Sequence, residues 1–183
     1  MLKLPPRVTS SVEMAQEFGG QVFADGLYRV MSSDMQALAK TNLMVAFGEA
    51  AQNLEPFSSD WLGRIFSVRE TDRTVLLAEP GTAELLETQV DLHKFHNTEL
   101  REHADAALAE PFYLEWRAAG NPAPRLDQCV SYRTPLFLGG SDTLDNLELN
   151  DMDVYWSIVA QIIAEIDTRK IYMMGGGLNG NFD

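Results

Sequence analysis

Only one cysteine, Cys129, occurs in 183 residues, so no disulfide can close within the chain and a cysteine-stapled extracellular scaffold is excluded. No apolar run approaches the roughly 20 residues that cross a bilayer as a helix. The opening "MLKLPPRVTSSVEMAQEF" is interrupted at once by Lys3, Pro5, Pro6 and Arg7, unlike a secretory leader. These absences predict a cytoplasmic protein with no membrane role. Basic residues are scarce as well: 14 Lys and Arg stand against 27 Asp and Glu, a formal charge of −13. Such a field repels phosphate backbones and anionic lipid, which argues against direct nucleic-acid binding, and it speeds encounter with a basic protein. Solubility alone is the plainer account of the same charge.

Catalytic signatures are also missing. There is no Gly-x-Ser-x-Gly elbow, and the glycines of "MMGGGLNGNFD" precede neither a Lys-Ser/Thr pair nor a helix, so they read as a flexible end and not a phosphate loop. His93, His96 and His103 are the only histidines and cluster with Glu99 on one predicted helix. On a continuous helix His103 falls about 10 Å beyond His96, outside shared reach of one metal ion. A solvated or interface helix face is the expectation there. Cys129, between Leu126 and Val130, reads as a small buried hydrophobe. No catalytic residue, metal or cofactor is therefore expected.

What remains is a chain that is 45% hydrophobic and 22% charged, enough to build one core. The first 20 residues read as an extended lead-in. "QVFADGLYRV" forms two short apolar runs about Asp25-Gly26, a hairpin signature. A helix over 34–47 follows, with Ser33 and Gln36 at capping-box spacing and Gly48 as its stop. "RIFSVRE", "RTVLLAE" and "AELLETQV", separated by turns at Thr71-Asp72 and Pro80-Gly81, predict a β-meander. Asp91 caps a predicted helix over 91–109, and Pro111 starts another before the loop at Gly120, Pro122 and Pro124. "QCVSYR" and "PLFLGG" read as short buried segments. A last helix over 151–167, capped by Asn150, repeats its apolar residues from Met152 to Ile166 at three-and-four spacing, with Tyr155, Trp156, Val159, Ile162 and Ile163 facing the core. The sum is an α+β fold: a twisted, mainly antiparallel sheet packed against helices.

The stretch from Pro135 to Trp156, "PLFLGGSDTLDNLELNDMDVYW", carries Asp142, Asp145, Glu148, Asp151 and Asp153 and no basic residue. The order of these acids does not fit an EF-hand loop, which needs oxygen ligands at alternate positions around a central glycine. Asp151 and Asp153 suit the first turn of the last helix, where the dipole favours carboxylates. Asp142 and Asp145 fit turns after Gly139-Gly140, and Glu148 faces solvent or pairs with an arginine. Asp142 and Asp145, on the loop before the last helix, are candidates for meeting a basic partner.

Taken in order, "DWLGRIF" (60–66), "EPGTAELLE" (79–87), "FHNTEL" (95–100), "EW" (115–116) and "PLFLGG" through "DNLELNDMDVYW" resemble the C-terminal domain of type VI secretion immunity proteins that protect bacteria from a DNase toxin. The resemblance implies a SUKH-like immunity domain over 26–170, a short lead-in over 1–25 left from a GAD-related region, and a Gly-rich tail over 171–183. It also implies structural roles for the matching positions. Gly63 and Gly81 would make turns, Gly139 and Gly140 allow close backbone approach, and Trp61, Trp116, Tyr155 and Trp156 fill the core. Asn146 and Glu148 would hold the connection into the last helix. None of these is catalytic, so contacts with a cognate toxin, a basic nuclease domain for instance, are expected on exposed acids: Asp142, Asp145, Asp151 and Asp153. The alternative is a regulatory or housekeeping interaction module on the same scaffold.

Overall fold

The computed structural model describes residues 10–175, with side chains as far as residue 166. A six-stranded antiparallel sheet in the order β1-β2-β3-β4-β5-β6 forms its centre, and a separate two-stranded ribbon, β7-β8, packs against it, Val130 donating to the Trp61 carbonyl at 2.7 Å. The architecture is thus α+β. The described residues open with α1 (Ser11–Phe18), capped by Ser10, whose hydroxyl accepts from the Glu13 amide. The extended lead-in expected there is helical because Ser10 satisfies the first turn and Met14 enters the core fully buried. Strands β1 (Val22–Phe23) and β2 (Tyr28–Val30) flank a turn in which Asp25 takes a left-handed conformation, φ 56°. Helix α2 (Ser33–Phe47) follows, capped by Ser32, one residue earlier than the capping-box spacing suggests, and ends at Gly48.

Strand β3 (Leu54–Asp60) pairs with both β2 and β4 (Ile65–Arg69) and is an interior strand. It contains Pro56, which lacks a ladder N–H, and the register shifts between Pro56 and Ser58 to accommodate it. Strands β5 (Thr74–Glu79) and β6 (Glu84–Asp91) complete the meander. Side chains alternate between two cores. Ile65, Leu76 and Ala78 join one, and Phe66, Val68 and Val75 join the other, so β4 and β5 are buried on both faces.

Between β6 and β7 the chain is helical in pieces: α3 (Leu92–Lys94), a π-helical turn (Phe95–Glu99), α4 (Leu100–Glu102), α5 (Ala104–Leu108) and α6 (Glu110–Ala118). Asp91 caps the first piece through the Lys94 amide. The single helix expected over 91–109 is interrupted at His103, φ −131°, and at Ala109, which is left-handed at φ 50°. The π turn rotates the face, so that both Phe95 and His96 point into the core with Leu92, Leu100 and Leu108.

The ribbon pairs β7 (Gln128–Tyr132) with β8 (Leu147–Asp151), and α7 (Met152–Gly175) leaves directly from it. The "PLFLGG" segment is not a buried strand. It is a half-buried 3-10 turn, Leu136–Leu138, with Leu138 exposed. Asn150 sits in β8 and donates to Ser131 Oγ and Glu148 Oε1, while the cap of α7 is Asp151, whose carboxylate accepts from the Val154 amide at 3.0 Å. Helix α7 also runs past residue 167 to Gly175, into the first residues of the expected tail; the rest of that tail, 176–183, lies outside the described residues, as do residues 1–9 of the expected lead-in. Its Tyr155, Trp156, Val159 and Ile163 are buried against α2 and the sheet, and Ile162 is half-buried.

Two predictions test this core. Trp156 is buried and its Nε1 donates to the Gly63 carbonyl at 2.7 Å. Trp156→Ala should lose about 3–5 kcal/mol in urea unfolding through the cavity and the orphaned carbonyl. His96 is fully buried beside the Tyr28 ring, with neither ring nitrogen hydrogen-bonded. Burial, aided by the Arg101 charge, pushes its pKa from 6.5 down to about 4. The unfolded chain then binds the proton more readily than the folded one. The stability due to neutral His96 is complete above pH 6.5 and is lost as the pH falls toward 4, by about 3 kcal/mol. His96→Leu should retain the fold at pH 7.5 and melt less steeply than the parent over that acid interval; parallel profiles would refute the assignment.

Candidate binding cleft

The five acids of the 135–156 stretch have separate places. Asp142 is exposed and accepts from the Tyr132 hydroxyl at 2.7 Å, tying the loop to β7. Asp145 lies exposed in the 3-10 turn Leu144–Asn146. Glu148, on β8, approaches Arg133 at 3.5 Å. Asp151 caps α7, and Asp153, in its first turn, accepts from Asn42 Nδ2 of α2 at 3.3 Å.

The motif positions lie mostly within the scaffold. Trp61 and Trp116 are buried, with indole N–H groups bonded to the Leu108 and Pro122 carbonyls. Gly63 is left-handed at φ 75°, and a Cβ there would lie 3.0 Å from the Cys129 sulfur. Gly81 abuts the Tyr132 ring, and Gly139 closes the 3-10 turn. A Cβ on Gly140 would collide with the Thr134 carbonyl oxygen at 1.8 Å, so that close approach requires glycine. Asn146 clamps the same loop: its Oδ1 accepts from the Thr134 amide and its Nδ2 donates to the Thr134 and Ser141 carbonyls. Asn146 therefore holds the loop that joins β7 to β8, and Glu148 is half-buried on β8 beside Arg133.

The histidines do not share a face. His96 is in the core, whereas His93 and His103 are exposed. Among the described residues no three His, Cys, Asp or Glu side chains converge on one point. Burial pushes the Cys129 thiol up to about 12, which removes thiolate reactivity near neutral pH. No helix among the described residues is long and apolar enough to cross a membrane.

A cleft of about 290 Å³ opens between α2, the start of α7 and the loop before β7. Its interior is apolar, with Met31, Ile65 and Trp156 at the core and Met35, Leu38 and Met152 on the walls. Asp127, Asp151 and Asp153 line its mouth, all three exposed, and Arg125, just outside it, approaches the Asp127 carboxylate at 3.7 Å. The ribbon sets two of these acids side by side: Gln128 pairs with Asp151, and the Met152 amide donates to the Asp127 carbonyl at 3.0 Å. Asp127 was invisible to the sequence reading because it lies outside the acidic stretch. The methionines gave a weak signal, since α2 carries more apolar residues than one buried face can use: Leu38, Met44 and Val45 are all exposed.

Residues 90–163 match the model of the family described as T6SS immunity protein Tdi1, C-terminal. The match runs from the end of β6 into α7 and includes the "FHNTEL" turn, the ribbon and the three acids of the cleft mouth; "DWLGRIF" and "EPGTAELLE" precede it. No curated protein matches the chain. The crystal structure of Atu4351 from Agrobacterium tumefaciens aligns with a TM-score of 0.59 at 16% identity, covering 87% of this chain and 85% of that one. At that identity the likeness is one of fold.

The cap and the dipole acid can be separated by melting. Asp151→Ala should cost about 1 kcal/mol by losing the cap of α7, a fall of roughly 2–4 °C. Asp153→Asn should cost less, about 0.3–1 kcal/mol. Equal shifts would show that Asp151 is not the cap.

Proposed function

We propose that this chain is an immunity protein that binds a cognate antibacterial toxin and neutralises it by occupying its working surface, without catalysis of its own. The observation that carries the reading is the match of residues 90–163 to the C-terminal model of a type VI secretion immunity-protein family. The charge supports a narrower form in which the toxin is a nuclease. A nuclease must present cations to bind phosphate, and a protein of charge −13 can occupy that surface as a mimic of nucleic-acid charge. The acids at Asp127, Asp142, Asp145, Asp151 and Asp153 would face those cations. Cytoplasmic residence follows from this reading, because a DNase acts where the chromosome is.

The expected genomic setting is a secreted toxin gene directly upstream. Co-expression with that toxin's nuclease domain should restore growth and keep the chromosome intact, and the two purified proteins should bind with Kd about 1 nM or tighter, near −12 kcal/mol. Affinity should weaken as salt rises. Unrelieved growth arrest together with no complex at micromolar concentrations would refute the proposal.

A further inference from the structure

We infer that the cleft between α2 and α7 is an anchoring site for a cationic, amphipathic segment of the partner protein: one or two apolar side chains enter the cleft, and lysines or arginines flanking them meet Asp127, Asp151 and Asp153. The inference deepens the toxin-binding reading and rests on it only for the partner's identity. Size points to a side chain and not to a cofactor, since about 290 Å³ is at the lower end of small-ligand pockets. Charge then selects the occupant. Three carboxylates at the mouth outnumber the Arg125 guanidinium that approaches Asp127 at 3.7 Å, so the mouth stays net negative, repels phosphate- and carboxylate-bearing ligands and attracts a basic flank.

The walls suit insertion. Met35 and Met152 are unbranched and polarisable, so they can repack around different apolar shapes. Leu38 is 50% exposed on the rim, and Val45, seven residues on along the same face of α2 with Thr41 and Asn42 between them, is 44% exposed. A helical segment laid along α2 would cover this stripe while its anchor fills the cleft. Only the cleft itself lies beside acids. The mouth is already positioned, because Asp151 is fixed by the Val154 amide and Asp153 by Asn42 across the cleft.

The first probe is a helical peptide of about 15 residues with leucine on one face and lysine elsewhere, titrated into protein carrying methyl-labelled methionine. Shifts concentrated at Met31, Met35 and Met152 are expected, with far weaker shifts from the same peptide bearing glutamate for lysine or serine for leucine. Scattered shifts, or equal response to the glutamate peptide, would overturn the inference. The second probe is the toxin domain against which the parent protects. Leu38→Glu combined with Asp127→Lys and Asp153→Lys should raise Kd by about tenfold or more, while Asp142→Asn with Asp145→Asn should mainly slow association. If the triple variant binds the toxin as tightly as the parent, the cleft is not the anchoring site and the immunity reading stands. If no toxin is neutralised but the lysine peptide seats among the methionines, the immunity reading fails and the cleft assignment stands.

Discussion

The sheet, the ribbon, α5 and α7 are all hydrogen-bonded to one tight turn, Asp60 to Arg64. The Asp60 carboxylate lies within the protein and accepts from the Leu62 and Arg64 amides, each at 3.0 Å, and from Arg64 Nε at 2.5 Å. Burial opposes charge on Arg64, but Asp60 and Glu79 outweigh it and hold the guanidinium above its usual range. Arg64 in turn donates to the Ala107 carbonyl of α5, and Trp61 Nε1 donates to Leu108. The Trp61 backbone bridges to Leu27 on one side and to Val130 of the ribbon on the other, while Gly63 accepts from Trp156 of α7. Arg29, fully buried on β2, adds bonds to the Asp60 and Gln128 carbonyls. A buried ion pair of this kind adds little net stability over an apolar substitute. Its effect is to fix where the sheet, the ribbon and the helices meet, because removing one partner leaves a buried charge exposed to no water.

Elements buried on two faces with clear turn signals were legible from the sequence, and β4, β5 and β6 follow the expected meander closely. Strand β3 was not, since Pro56 argues against an interior strand and Ser58, Ser59 and Asp60 break its apolar run. Those polar residues are buried all the same, and the bulge after Pro56 is a tertiary accommodation with no local signature. Strand β8 was hidden for a similar reason. "LELND" alternates correctly for a half-buried strand, but its acids suggested a turn and a helix start. The histidine segment shows the opposite error: its composition is helical throughout, while the turns at His103 and Ala109 are set by packing on the sheet.

The site was legible only in part, because it is assembled from four separate segments: α2 and its approach, Ile65 of β4, Leu126–Asp127, and the start of α7. Asp151 and Asp153 stood out by their placement before an amphipathic helix. Asp127 did not, since nothing local marks a carboxylate that becomes important only when the Gln128–Asp151 register brings it beside another. Methionines at 31, 35 and 152 likewise satisfy the helix and strand patterns of a plain core. Only the excess of apolar residues on α2 departs from what one buried face requires, and that excess says a surface is available without saying where its neighbours lie.

The cleft and the turn are mechanically one structure. Trp156 lines the cleft and donates to Gly63; Ile65, at its base, directly follows Arg64; Leu126 and Asp127 precede Gln128, whose carbonyl Arg29 holds. The walls contributed by β4, α7 and the loop before β7 are therefore positioned by the same bonds that join the layers, while the exposed Leu38 on the α2 rim retains freedom to adjust. A surface built this way loses little conformational entropy when covered, because its backbone is already fixed. The rim acids, held by capping and by Asn42, add direction to an apolar contact that has none of its own. Rigidity beneath and polarisable methionines above would suit the proposed charged partner while tolerating small differences in the shape of its apolar anchor.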